Sequence, residues 1–220
     1  HCMQEAENGD TRSEKLLRLA TPLLKMMACR DNVPVATASM ETRGGLGYIE
    51  EWVNPRLVRD AQIGLLWEGT TNINALDVIT RAIKKENCGE ALREDMNLIL
   101  DNASSCPGQL KSLLKNKIGR AIEFATIVAE NPDSESECRR AASGLYNAKT
   151  ATLLASEGAK IGAEGGDARR LILSRLVVDT RLTPRDPLAV NESSFQTEAS
   201  KLLIDEAPVS LDRALEVISL

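Results

Sequence analysis

From Cys138 onward, seven residues recur on one face at helical spacing and most of them are small: Cys138, Ala141, Leu145, Ala148, Thr152, Ala155 and Ala159. So slim a stripe lets a second helix approach closely, and it predicts the central helix of a packed bundle. Ser134-Glu135-Ser136-Glu137 reads as the capping box that starts this helix. Composition points the same way. Aromatic residues make up only 3% of the chain, and Leu, Ala and Ile carry most of the 43% hydrophobic fraction. That balance favours helix packing over a β-sandwich and is apolar enough to exclude a disordered chain. The expected fold class is all-α, a helical bundle with an additional C-terminal helical subdomain.

Residues 1–10 are polar and read as frayed. Thr11-Arg12-Ser13-Glu14 reads as a capping box, and Leu16, Ala20, Leu23, Leu24 and Met27 follow on one helical face. Pro22 is expected to kink or restart that helix, with Asp31 or Asn32 capping a second one that runs into Gly44 and Gly45. Pro55 suits the first turn of a short helix carrying Leu57, Val58 and Ala61. Thr70 or Thr71 caps the next, with Ile73, Leu76, Ile79, Thr80 and Ile83 predicted along it. A boundary near Asn87 divides the chain into 1–86 and 87–220. Helices are expected over 90–102, from Leu110 to Ala125, and from Asp167 through Leu171, Ile172 and Leu176. An irregular linker over 183–190 precedes two amphipathic pieces, one with Phe195 and Ala199 and one with Ala214 and Ile218.

A net charge of -5 argues against general binding to nucleic acid or anionic membranes. Five cysteines without CxxC spacing and a single His give no pattern for a metal site, so none is expected. No apolar run reaches the length of a membrane span and the N-terminus has no secretion signal, which predicts an intracellular setting. The sequence begins abruptly at His1 and reads as a piece of a longer chain.

Chemistry concentrates in one stretch, Glu41 to Asp77. Its first feature is a glycine turn, Gly44-Gly45-Leu46-Gly47-Tyr48, of the kind that lets backbone approach a phosphate. No strand pattern precedes it, so a Rossmann fingerprint is rejected. The second feature is a lone acid, Glu68, after Leu65, Leu66 and Trp67. Apolar surroundings would desolvate its carboxylate and favour the neutral form, as a base for proton abstraction requires. Gly69, Thr70, Thr71 and Asn72 follow, as helix caps, ligand contacts or both.

Taken together these motifs resemble the C-terminal helical domain of the acyl-CoA dehydrogenase family. The hallmarks of that family are a Gly-Gly-x-Gly-aromatic turn, an Arg-x-x-Arg-Asp segment and an aromatic-Glu-Gly-Thr turn. Here they read Gly44-Gly45-Leu46-Gly47-Tyr48, Arg56-Leu57-Val58-Arg59-Asp60 and Trp67-Glu68-Gly69-Thr70, in that order. The likeness is dense from Leu16 to Arg81. Glu41 in place of Gln, Trp67 in place of Tyr and the Thr71-Asn72-Ile73 continuation are most similar to the AidB-like branch, named for a bacterial alkylation-response protein. Residues 87–220 resemble the extra helical region of that branch.

The resemblance implies FAD-dependent α,β-dehydrogenation of a fatty acyl-CoA, with Glu68 as catalytic base. Glu41, Gly44 and Gly45 would approach the ADP part of FAD, often that of a neighbouring subunit, while Trp67, Gly69, Thr70, Thr71 and Asn72 would line the flavin. It also implies a homotetramer or dimer, an N-terminal helical domain and a middle β-barrel absent from this chain, and a cytoplasmic or mitochondrial-matrix location. The 220-residue piece alone is then expected to be inactive. The alternative is an acyl-CoA- or DNA-associating AidB-like protein with little turnover, this piece serving oligomerisation. Its candidate basic clusters are Lys111, Lys115, Lys117 and Arg120, then Arg139-Arg140 and Arg169-Arg170. DNA is the less favoured partner, given the acidic balance.

Overall fold

The computed structural model describes residues 2–184, 188 and 193–220. Among the described residues there are helices and turns but no strand, so the fold is all-α. The helices are α1 (Cys2–Glu7), α2 (Thr11–Glu41), α3 (Gly45–Tyr48), α4 (Asn54–Ile63), α5 (Thr71–Asp77), α6 (Cys88–Asn102), α7 (Gly108–Glu130), α8 (Cys138–Ala163), α9 (Arg169–Arg181), α10 (Ser194–Ile204) and α11 (Leu211–Ser219). A π-helical segment, Val78–Ile83, continues α5, and a 3-10 segment, Pro132–Glu137, precedes α8. No helix among the described residues is long and apolar enough to cross a membrane.

Contacts group the chain into two compact units: His1–Ala91 with Phe124–Tyr146, and Leu92–Glu123 with Asn147–Leu220. The division at residue 87 follows motif and composition, whereas these units follow contact, and each takes up segments distant in sequence.

In the first unit α2 is the organising rod. The sequence predicts two helices here, yet α2 runs unbroken for 31 residues through Pro22 and Pro34. Each proline removes a ladder hydrogen bond and strains the helix, an effect of roughly 3 kcal/mol in an ordinary helix interior. Burial of Leu16, Leu19, Leu23, Met26 and Met27 offsets it and holds the helix together. Against α2 pack α1, α3, α4, α5 and the π segment.

The N-terminal cap also differs from expectation. Asp10, not the Thr11 box, accepts a hydrogen bond from the Ser13 N–H at 2.8 Å. The Ser13 hydroxyl is turned instead to Glu5, which ties down α1 where a frayed end was expected. Along α5 and the π segment the buried face is Ala75, Val78, Ile79, Ala82 and Ile83, while Ile73 of the expected stripe is exposed.

In the second unit the small-residue stripe of α8 performs as its composition dictates. Ala148, Thr152, Ala155 and Ala159 are buried, as are Cys138, Ala141 and Leu145 of the first unit. A Cβ on Gly158 would lie 2.6 Å from the Leu171 nitrogen, so α8 and α9 touch backbone to backbone. The Ser174 hydroxyl crosses the same gap and donates to the Ala151 carbonyl. The 3-10 segment before α8 is capped by Asn131, which accepts from the Asp133 N–H, in place of the expected Ser134 box. The N-cap of α9 is Ala168, without a side-chain cap; the expected Asp167 stands one residue before it and accepts from the Arg169 and Val209 N–H groups. Phe195 and Ala199 of α10 and Ala214 and Ile218 of α11 are buried as predicted. The linker expected over 183–190 lies largely outside the described residues.

Candidate functional site

The turn carrying Glu68 is built by three constraints. Lys25, midway along α2, donates from Nζ to the Gly64 carbonyl at 2.8 Å and, more weakly, to the Gly69 carbonyl at 3.4 Å. Asn74 donates from its side-chain amide to the Gly69 and Thr70 carbonyls at 2.9 and 3.1 Å. Below them Arg18 grips both carboxylate oxygens of Asp77, at 2.8 and 3.1 Å, and reaches Glu86 at 3.0 Å. That fork holds the Asp77 carboxyl below its usual pKa and fixes the α5–π junction to α2. Lys25, Asn74 and Arg18 are supports that the motif reading missed. Only their spacing relative to α2 could have signalled them, and that spacing has meaning once α2 is known to be a single helix.

Between these anchors Glu68 adopts φ +53°, in the left-handed region, followed by Gly69 at φ +91°. A non-glycine residue there carries strain of roughly 1–3 kcal/mol, which persists only where the surroundings over-determine it. The carboxylate is thus presented outward on a pinned backbone. The expected apolar shell is not formed by its neighbours, which is a correction to the sequence reading. Glu68 is exposed, and Leu66 and Trp67 are 68% and 59% exposed. With all three side chains exposed, neither Leu66 nor Trp67 covers the acid.

The glycine turn is set by a different contact. A Cβ on Gly47 would sit 2.2 Å from the Met40 carbonyl oxygen, so only glycine lets α3 lie against the end of α2. Buried Asn54 ties α4 to the same end by donating to the Ser39 hydroxyl. Glu41, Gly44 and Gly45 are exposed, and a Cβ on Gly44 or Gly45 would meet nothing within 4 Å. Their backbone is therefore open to an approaching group.

The predicted site residues consequently form two clusters. Glu68, Gly69, Thr70, Thr71 and Asn72 lie together beside Trp67, while Glu41, Gly44 and Gly45 lie near the far end of α2. At ~1.5 Å per residue, Lys25 and Met40, which mark the two clusters, stand about 22 Å apart along α2. The side chains of Thr70, Thr71 and Asn72 have no hydrogen-bond partner among the described residues, and Thr70 caps α5 through its extended backbone alone. The exposed Thr70 hydroxyl, the free Asn72 amide and the exposed Trp67 ring can hydrogen-bond and stack against a polar aromatic group, and the open Gly44–Gly45 backbone can separately admit a phosphate.

Residues 1–84 match the family described as acyl-CoA dehydrogenase, C-terminal domain. The chain is 38% identical over 123 residues to acyl-CoA dehydrogenase family member 11 of Caenorhabditis elegans, covering 56% of this chain and 19% of that protein. It is 39% identical over 78 residues to putative acyl-CoA dehydrogenase AidB of Escherichia coli, covering 36% of this chain and 14% of that protein. The solved structure of Bd2924 in its apo-form superposes with a TM-score of 0.57 at 27% identity, over 70% of this chain and 28% of that one. The chain thus spans less than a fifth of the length of these two curated relatives.

Proposed function

We propose, from the match of residues 1–84 to the acyl-CoA dehydrogenase C-terminal domain family, that the whole protein dehydrogenates a fatty acyl-CoA with Glu68 as its base. Glu68 takes the α-proton, the electron pair left at the α-carbon forms the α,β double bond, and a hydride departs from the β-carbon. FAD, when bound, supplies the acceptor for that hydride. The observation that carries this reading is the left-handed Glu68 backbone held between the Lys25 and Asn74 contacts. The strained, outward-facing carboxylate makes no hydrogen bond or ion pair among the described residues, and a fixed base is what proton abstraction requires.

On this reading Lys25 and Asn74 position the base without touching substrate. Trp67, Gly69, Thr70, Thr71 and Asn72 line the flavin, and Thr70, Thr71 and Asn72 would offer hydrogen bonds to it. Glu41, Gly44 and Gly45, about 22 Å away along α2, serve the ADP part of a second flavin in a neighbouring subunit of a dimer or tetramer. Desolvation of Glu68 comes from the acyl chain and the remaining domains closing over Leu66 and Trp67. An intracellular compartment, cytoplasm or mitochondrial matrix, belongs to the same reading.

The test is anaerobic titration of the full-length flavoprotein with acyl-CoA thioesters of several chain lengths. Bleaching of the flavin band in wild type and its loss in Glu68→Gln is the expected result, with a rate reduction of about 10²-fold or more. A spectral shift without bleaching would assign the protein to acyl-CoA binding instead. The 220-residue chain alone is expected to give no turnover.

A further inference from the structure

One guanidinium of α2 holds both ends of the π segment. Arg18 pairs with Asp77, immediately before Val78, at 2.8 Å and with Glu86, shortly after Ile83, at 3.0 Å. Asp77 and Glu86 are nine positions apart. On a regular α-helix, at about 100° per residue, that separation turns two side chains to opposite faces. Here the ladder widens instead. The Lys84 N–H donates to the Ile79 carbonyl at 3.1 Å and the Glu86 N–H to the Arg81 carbonyl at 3.0 Å, each bond spanning five residues. A turn of that width rotates less per residue, so both carboxylates come round to α2.

Resting on the dehydrogenase reading, we propose that Arg18 is a positioning residue for Glu68. By holding Asp77 and Glu86 together it keeps the π segment wound, and this fixes the rotation of α5, from which Asn74 pins the turn that carries the base.

The route from Arg18 to the base is short. Asn74 lies one turn before Asp77 on the same side of α5 and donates to the Gly69 and Thr70 carbonyls. Lys25 lies on the same face of α2 as Arg18, about 10 Å along the helix, and donates to that same Gly69 carbonyl. The residue after Glu68 thus takes one contact from each helix, and both contacts hold only while α5 keeps its rotation against α2. A shift of one residue in the ladder would swing Asn74 by about 100° and release that carbonyl. Arg81 gives no substitute for Arg18, since its 3.4 Å bond to Asp77 stays within the segment itself. Glu86 falls just past the residues matched to the family domain, so half of this lock comes from outside the match.

The experiment follows anaerobic flavin reduction in the full-length protein over a range of acyl-CoA concentrations, in Arg18→Gln, Arg18→Lys and Gly158→Ala. The last is a control for lost stability, because its strain lies in the contact of α8 with α9. Arg18→Gln is expected to slow the saturated rate about tenfold and to leave the half-saturating concentration within about twofold, with Arg18→Lys recovering part of the rate. Hydrogen exchange at the amides of residues 65–70 should quicken in Arg18→Gln and stay at the wild-type level in Gly158→Ala. A saturated rate or an exchange pattern in Arg18→Gln equal to wild type, or an equal loss of rate in Gly158→Ala, overturns the proposal and leaves the dehydrogenase reading standing. If wild type itself shows no bleaching, that reading falls and the proposal falls with it.

Discussion

Glu68 occupies a backbone conformation that glycine would adopt without strain, and this sets function against stability at one position. Glu68→Gly is expected to raise the unfolding free energy by about 1 kcal/mol, read from thermal or urea melts, while abolishing flavin reduction in the full-length protein. Sequence reading found this residue because an acid between Trp67 and Gly69 belongs to a recognisable motif. It could not find the strain, because a positive φ arises from contacts made by Lys25 and Asn74, remote in the chain or silent in pattern. The expected apolar shell failed for a related reason. Adjacency in sequence placed Leu66 and Trp67 next to the acid, yet both stay exposed instead of packing over it.

At the scale of elements, the attachment of the α5–π junction to α2 depends on charge. Arg18 holds the Asp77 carboxyl below its ordinary pKa chiefly through their hydrogen bonds, against a smaller opposing effect of burial. A depressed carboxylate contributes stability that is complete above its unfolded value and is lost as pH falls through the folded one. Asp77→Asn should therefore cost about 1 kcal/mol near neutral pH, and its stability should converge with that of wild type as pH drops below about 4. Urea denaturation at a series of pH values measures this. The contact of α9 with α8 depends on volume instead. Gly158→Ala places a methyl group 2.6 Å from the Leu171 nitrogen, and backbone cannot swing aside as a side chain can. A loss of about 1–3 kcal/mol in chemical denaturation is expected. The α8 stripe was legible from the recurrence of small residues at helical spacing alone. The unbroken α2 was not, since local propensity breaks a helix at Pro22 while tertiary burial restores it.

For the molecule as a whole, net charge and pairing act together. Of the basic clusters that could meet DNA, Lys115 is paired with Asp101, Arg140 with Glu137, Arg169 with Asp167 and Arg170 with Glu157. Lys117 is buried, donating to the Leu182 carbonyl and the Thr183 hydroxyl, and that burial lowers its pKa. With these cations answered locally and a net charge of -5, few counterions remain to be released on contact with a duplex. Binding to duplex DNA should accordingly be weak, with a shallow slope of log affinity against log salt. A steep slope abolished by replacing Lys111, Arg120 and Arg139 would reverse that conclusion. The all-α class was readable from composition and stripe. The two compact units were not, because Phe124–Tyr146 joins residues far upstream through contacts that no local pattern encodes.

The Lys25 ammonium touches carbonyls at both ends of the segment from Gly64 to Gly69. It thereby closes that hexapeptide into a ring without a covalent bond. Within the ring the exposed tip of Leu66 and Trp67 has already surrendered much of the conformational freedom that a free loop would give up on docking. Whatever closes over Glu68 meets a preformed apolar knob, so a change at Lys25 should register first as slower association and only afterwards as weaker contact.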